Sequence, residues 1–234
     1  MAQHGKKYTE AKSKVQEDKL YKPSEACELV KEIHFANFDE TVEVSIRLGV
    51  DTRKADQNVR GMLSLPHGTG KETRVAVFAE GEQAKAAQDA GADVVGADDL
   101  IATVEKGEIA FDAAVATPPM MAKVGRVAKI LGPRGLMPNP KLGTVTMDVA
   151  EAVKQLKSGR VEYRADRNGI VHVTLGKVSF SAQDLTDNYR TLIQEIVRVK
   201  PSSAKGKYIK SVALASTMGP AVQIDPTLVR PDEV

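Results

Sequence analysis

Hydrophobic positions follow two different periods along the chain. Val42, Val44, Ile46, Leu48 and Val50 alternate with Thr41, Glu43, Ser45, Arg47 and Gly49, which predicts a strand buried on one face only. Residues 160–165 and 170–175 flank Asp166-Arg-Asn-Gly169, and Asn-Gly tolerates the positive φ of a tight turn, so a hairpin is predicted. The next segment has helical spacing. Ser181 can cap it, Leu185, Tyr189, Leu192, Ile193 and Ile196 fall on one face, and Lys200-Pro201 closes it. A strand over 207–215 follows. Near the start, a helix from Ser24 turns Leu29, Val30 and Ile33 inward, with Glu25 and Glu28 early in the helix to suit its dipole.

The middle of the chain reads differently. The runs 74–79, 93–96 and 111–116 are short and almost continuously apolar, as suits strands covered on both faces. Helical segments lie between them, Glu82 to Ala90 and Asp98 to Lys106, each followed by a glycine, Gly91 and Gly107. Another helix starts at Asp148, with Glu151 three residues on as in a capping box; Val149, Val153 and Leu156 form its apolar face and Gly159 ends it. Strand–helix–strand alternation implies a parallel layer.

A lone half-buried strand is unstable without a sheet. Residues 1–67 supply one such strand and a helix that needs a partner; residues 160–234 supply strands and a helix that complete them. The expected fold class is α/β with two domains. A discontinuous α+β domain comes from both chain ends, 1–67 plus 160–234, and an α/β parallel-sheet (Rossmann-like) domain, 68–159, is inserted. Three small independent units are the alternative. The two crossings, marked by Gly68 and Gly70 and by Gly159, would serve as a hinge.

Composition narrows the function. The 234 residues are 42% hydrophobic and 27% charged, as in an ordinary globular protein. No apolar run approaches the ~20 residues that span a bilayer, and the first twenty residues have no apolar core like a signal peptide, so no membrane association and a cytoplasmic location are expected. One cysteine, Cys27, excludes an intrachain disulfide. Net charge is only +2, but its distribution is uneven. Residues 113–147 hold Lys123, Arg126, Lys129, Arg134 and Lys141 with no acid, and residues 196–224 hold Arg198, Lys200, Lys205, Lys207 and Lys210 with no acid. Acid-free stretches can form patches that attract polyanions, or can be solvated surface.

Catalytic motifs fail one by one. His67-Gly-Thr-Gly-Lys71 lacks the first glycine of a phosphate loop, since position 65 is Leu, and Glu72 stands where a hydroxyl should bind magnesium. The first strand of the middle region leads into Glu80-Gly81-Glu82, whose carboxylates oppose a dinucleotide pyrophosphate. His4, His34, His67 and His172 have no i, i+4 pairing for a metal. Cys27 sits among apolar helix positions and reads as an inert core thiol. No cofactor, metal or enzymatic activity is expected.

Two segments survive. Residues 125–141 begin helix-like with Arg126 and Lys129, then become a loop stiffened by three prolines and carrying Arg134 and Lys141. Such a rigid cationic loop suits a phosphate backbone, or merely shapes a connection. In the strand after 207, Ile209, Ser211, Ala213, Ala215 and Thr217 share one face if the strand is regular. Small side chains let RNA lie close, and hydroxyls bond phosphates and ribose 2′-OH groups. Thr41, Glu43, Ser45 and Arg47 could extend that face in the same sheet.

Five motifs together resemble the bacterial large-subunit ribosomal protein one (L-one) family over essentially the whole chain: 38–43 (FDETVE), 56–61 (DQNVRG), 65–70 (LPHGTG), 132–140 (GPRGLMPNP) and 216–220 (STMGP). The resemblance implies a two-domain constituent of the large ribosomal subunit, monomeric when free. It binds large-subunit rRNA in the mobile stalk on the tRNA-exit side, contacts deacylated exit-site tRNA as it leaves, and represses translation by binding its own operon mRNA. It implies rRNA contacts at Phe38, Thr41, Ser211, Thr217, Met218 and Gly219, to which the polar face of the first strand adds Glu43 and the acid-free stretch adds Lys210. Asn37 stands where other members often have Lys, which would remove a phosphate contact. Arg53, Lys54, Lys123, Arg126 and Arg134 are tRNA-contact candidates from charge alone. A nucleotide-using enzyme built on the middle layer and a scaffold without an RNA surface are the rival classes.

Overall fold

A computed structural model describes residues 5–16, 18–71, 73–140 and 143–228. Of the residues named from the sequence, His4, Glu72 and Lys141 lie outside them. Along the chain run α1 (Lys6–Ser13), α2 (Pro23–Ile33), β1 (Thr41–Leu48), β2 (Arg60–Ser64), β3 (Val75–Phe78), α3 (Glu82–Asp89), β4 (Val94–Gly96), α4 (Asp98–Glu105), β5 (Ala113–Ala116), the short α5 (Met121–Val124) and α6 (Ala128–Leu131), α7 (Val149–Lys157), β6 (Arg160–Arg164), β7 (Ile170–Lys177), α8 (Ala182–Arg198), β8 (Ile209–Ser216) and β9 (Val222–Ile224). The fold is mixed α/β. Contacts divide it into an end-built unit, comprising the described residues up to Gly70 with those from Val161 onward, and an inserted unit, Lys71–Arg160.

The end-built unit rests on a four-stranded antiparallel sheet in the order β7-β1-β8-β9. The alternation read in β1 is visible in its burial: Val42, Val44, Ile46 and Leu48 are buried, while Thr41, Glu43, Ser45 and Arg47 are exposed or half-buried. The buried positions meet Val171, Val173, Leu175, Val212, Leu214 and Val222, and the apolar faces of α2 and α8. Both helices therefore cover one side of the sheet. Helix α8 opens with the capping box expected at Ser181, whose Oγ accepts the Asp184 N–H at 3.0 Å while Asp184 returns a bond to the Ser181 N–H at 3.1 Å. Fully burying each Leu or Ile of such a core contributes on the order of 2 kcal/mol.

Three expectations about this unit are corrected. Helix α2 begins at Pro23, not Ser24, because proline's fixed φ suits the first helical position. The turn at 166–169 forms, with Gly169 at φ 74°, but the hairpin holds only at the bridge between Ala165 and Val171. Beyond it β6 leaves to pair with β2, a strand whose Gly61 and half-buried side chains gave little periodic signal. Ile209 does not share the face of Ser211. Arg47 pairs Ser211 but Leu48 pairs Ile209, so Lys210 is an extra residue, and this bulge turns Ile209 into the core.

The inserted unit has the expected parallel sheet, in the order β4-β3-β5, with every residue of central β3 buried. Helix α7 starts where predicted, but Asp148 caps it one-sidedly: its carboxylate accepts the Glu151 N–H at 3.2 Å, and Glu151 bonds Gln155 instead of returning the bond.

Candidate nucleic-acid interface

The side of the four-stranded sheet away from α2 and α8 carries mostly polar side chains in register, small ones on β8. Glu43 lies between Thr174 and Ala215, Ser45 between His172 and Ala213, and Arg47 between Ile170 and Ser211. Gln223 of β9 extends the row beside Ala213. The Ser45 hydroxyl and His172 Nδ1 are 3.0 Å apart. No large side chain stands on β8 here, so a chain of nucleotides can approach the strand closely.

At one end of this face two loops project exposed apolar groups. Phe38 is 55% and Met218 52% exposed. Water-exposed apolar side chains beside hydroxyls suit stacking against bases and packing against ribose. The Thr217 hydroxyl accepts the Thr41 N–H at 3.0 Å and donates to the Thr41 carbonyl at 3.3 Å, which locks the 216–219 turn to the start of β1. Lys177 donates to the Thr41 hydroxyl at 3.0 Å. A β-carbon on Gly219 would lie 2.5 Å from Ser216 Oγ, so any larger residue there would have to turn that hydroxyl aside. The structure thus brings Phe38, Thr41, Thr217, Met218 and Gly219 to one corner, with Glu43 and Ser211 farther along the same face and exposed Lys210 at the bulge beyond.

Among the cations of the 196–224 stretch, Arg198 is paired with Glu195 at 2.8 Å, and Lys200 lies over the Tyr208 ring. Lys205, Lys207 and Lys210 remain exposed. Arg53 and Lys54 are exposed on the loop after β1, at the other end of that strand from Phe38.

In the inserted unit, Arg126, Lys129 and Arg134 are exposed around α5 and α6. Leu136, Met137 and Pro138 tuck into that unit and anchor the proline loop. Lys123 differs: it donates to Glu80 at 2.8 Å and Asp98 at 2.9 Å, and these two carboxylates raise its pKa, Glu80 first. The acid-free stretch is therefore not acid-free in space.

The glycines of the first crossing are tightly held. Gly68 has φ 66° and Gly70 φ 68°. Buried Asn188 of α8 donates to the Gly68 carbonyl at 3.1 Å and accepts the His67 N–H at 3.1 Å. A β-carbon on Gly70 would meet Lys177 at 2.8 Å. Residues 68–70 therefore belong to the end-built unit, and its boundary falls three residues later than the sequence suggested. Gly159 has φ 88° and follows α7 directly, near the second crossing.

Burial pushes the Cys27 thiol up to about 11, with the Thr186 hydroxyl opposing, which leaves it protonated and unreactive. Among the described residues no cluster of His, Cys, Asp or Glu could hold a metal ion, and no helix is long and apolar enough to cross a membrane.

Compared with known proteins, residues 30–220 match the family described as Ribosomal protein L1p/L10e. The chain belongs to that ribosomal family. Members of the L1p/L10e family are structural ribosomal proteins and not enzymes, and the L-one resemblance read from the motifs agrees with this membership. The chain is 58% identical over 226 residues to the large ribosomal subunit protein uL1 of Lactobacillus delbrueckii subsp. bulgaricus, covering 97% of this chain and 98% of that one. It is 56% identical over 230 residues to the uL1 protein of Mycobacteroides abscessus, covering 98% of each. Sequence reasoning in this L1p/L10e chain missed Glu40 and Asn188. Each holds a partner more than a hundred positions away, which no local pattern announces.

Proposed function

We propose that this chain is a structural constituent of the large ribosomal subunit that binds large-subunit rRNA in the mobile stalk through the open face of its four-stranded sheet. One observation carries the reading: Phe38 and Met218, exposed and adjacent to a row of small and hydroxyl-bearing residues, form an apolar corner on an otherwise polar face. In this reading Phe38 and Met218 pack on bases or ribose. Ser211 bonds phosphate or 2′-OH groups, and Glu43 accepts from a 2′-OH or base amine. Lys210 supplies counterion release, while Thr41, Thr217 and Gly219 hold the corner's shape. The Thr217 hydroxyl, already bonded to the Thr41 backbone, acts by fixing the turn more than by touching RNA.

The same face binds a related structure in the chain's own operon mRNA and so represses its translation in the cytoplasm. The inserted unit contacts deacylated tRNA leaving the exit site, with Arg126 and Arg134 as its cations and Lys123 excluded by its ion pairs. Arg53 and Lys54 stand on the end-built unit and serve rRNA, not tRNA. Gly70 and Gly159 flank the crossings about which the inserted unit swings; scattering from the free monomer is expected to need more than one interdomain spacing, and a fit by one rigid shape would refute it.

Affinity for an rRNA stalk fragment tests the central reading. It should fall steeply with salt, by about 0.9 log units per log unit of salt for each phosphate neutralised on duplex RNA-like sites. Phe38→Ala and Met218→Ala should each weaken it about tenfold, as removal of a stacked group does. Salt-independent binding, or full affinity in both variants, contradicts the reading.

A further inference from the structure

Behind the exposed corner lies a carboxylate. Glu40 is 0% exposed, and a glutamate is buried this fully only when both oxygens find donors. Oε1 accepts the Ala36 N–H at 3.1 Å, and Oε2 accepts the Met218 N–H at 3.0 Å. Ala36 lies two residues before Phe38 on one loop, and Met218 is the exposed apolar residue of the other. The backbone of this segment is fixed as well. The Glu40 carbonyl accepts the Val178 N–H at 2.9 Å, and neighbouring Asp39 accepts the Ser179 N–H at 3.1 Å and the Ser179 hydroxyl at 2.9 Å. The carboxylate therefore sits on a rigid base and reaches out to both loops.

We propose that Glu40 is the positioning residue of the RNA interface: its carboxylate sets the spacing between the Phe38 loop and the Met218 turn, so that the two exposed side chains meet RNA as one preformed clamp. This rests on the reading of that corner as an RNA site. The chemistry is specific to a carboxylate of this length. It offers an acceptor to each of two N–H groups and carries no donor of its own. A glutamine would turn its amide NH2 toward one of the two N–H groups, and an aspartate is one methylene too short to reach both loops. Burial alone would raise the Glu40 pKa; the Met218 N–H, the neighbouring Ser216 hydroxyl and the Ala36 and Phe35 N–H groups outweigh it and hold the carboxyl below its ordinary range. The anion is thus present throughout the neutral range. Preforming the clamp spares the ordering of two loops at the moment of binding, which is where affinity is otherwise lost.

A role confined to folding makes different predictions. Glu40→Gln removes a negative charge next to a polyanion site, so electrostatics alone would strengthen RNA binding. Loss of positioning weakens it. The experiment measures affinity of the full chain for the rRNA stalk fragment in wild type, Glu40→Gln, Phe38→Ala, Met218→Ala and the Glu40→Gln/Phe38→Ala pair, together with amide exchange of the free protein. Glu40→Gln is expected to bind about tenfold more weakly while remaining folded. Exchange protection should fall at the Ala36 and Met218 amides, and Phe38→Ala should cost less in the Glu40→Gln background than alone. Wild-type affinity in Glu40→Gln, with Phe38→Ala and Met218→Ala both weakened, overturns the positioning role and leaves the RNA site standing. Wild-type affinity in all three single variants overturns the site and the role with it. If Glu40→Gln does not fold, Glu40→Asp carries the same test: weakened binding is expected, and unchanged affinity overturns the proposal.

Discussion

Replacing Asn188 with alanine should destabilise the end-built unit by about 2–4 kcal/mol. Asn188 is 0% exposed and ties α8 to two other backbone segments. Its Nδ2 donates to the Leu175 carbonyl at 2.7 Å and to the Gly68 carbonyl at 3.1 Å, and its Oδ1 accepts the His67 N–H at 3.1 Å. Leu175 is the extra residue at a bulge in β7, since Val42 pairs Gly176 while Glu43 pairs Thr174, so its carbonyl falls outside the regular ladder there. Alanine removes three bonds, each contributing about 0.5–1 kcal/mol net, and strands a buried carbonyl at a further cost of about 1 kcal/mol. Set against a typical total of about 5–15 kcal/mol, the loss is large. The assay is urea denaturation followed by tyrosine fluorescence. The chain has no tryptophan, and its five tyrosines, at 8, 21, 163, 189 and 208, all belong to the end-built unit, so the signal reports on that unit alone. A loss below about 1 kcal/mol with an unchanged slope would refute the reasoning, because it would mean that water or backbone shifts satisfy the three groups without the amide.

Two further outcomes are expected. Arg126→Met should lower the salt slope of tRNA binding by about 0.9, while Lys123→Met should leave it nearly unchanged because Glu80 and Asp98 already engage that ammonium; equal effects would show that the ion pairs open on binding. Lys71 first, and Arg74 after it, hold the Asp112 carboxyl below its ordinary 3.8 despite opposing desolvation, so its stabilising contribution is complete above that value and lost as pH falls through the lowered folded value. Asp112→Asn should therefore flatten the acid limb of the inserted unit's stability below pH 3.8, by a modest amount since both cations are largely exposed; an unchanged acid limb would count against the pairing.

Much of the architecture was legible because it rests on period. The alternation of 41–50 and the 3-and-4 spacing from Leu185 to Ile196 each reflect one face meeting one core, and both elements formed as read. The parallel strands were legible from short apolar runs between helices that end at glycine. Apart from the one-residue shift at the start of α2, what failed had no local cause. The bulge at Lys210 depends on how β8 registers with β1, which the strand's own sequence does not encode, so Ile209 was given the wrong face. The departure of β6 from its hairpin depends on β2, a strand with too few buried side chains to announce itself. For the candidate site, the small residues of β8 and the 216–220 motif were visible and the family resemblance grouped Phe38 with Met218, while Glu40, which joins their loops across 178 positions, gave no sign of that role. Charge misled in the same way: Lys123 lies in an acid-free stretch, yet folding brings it Glu80 and Asp98.

Hydrogen–deuterium exchange of the full chain with and without an rRNA stalk fragment measures most directly where RNA sits. Protection is expected in the loops around Phe38 and Met218 and along β1 and β8, with residues 125–140 of the inserted unit unaffected. Protection confined to the inserted unit, with the sheet face exchanging as in the free protein, would contradict the account.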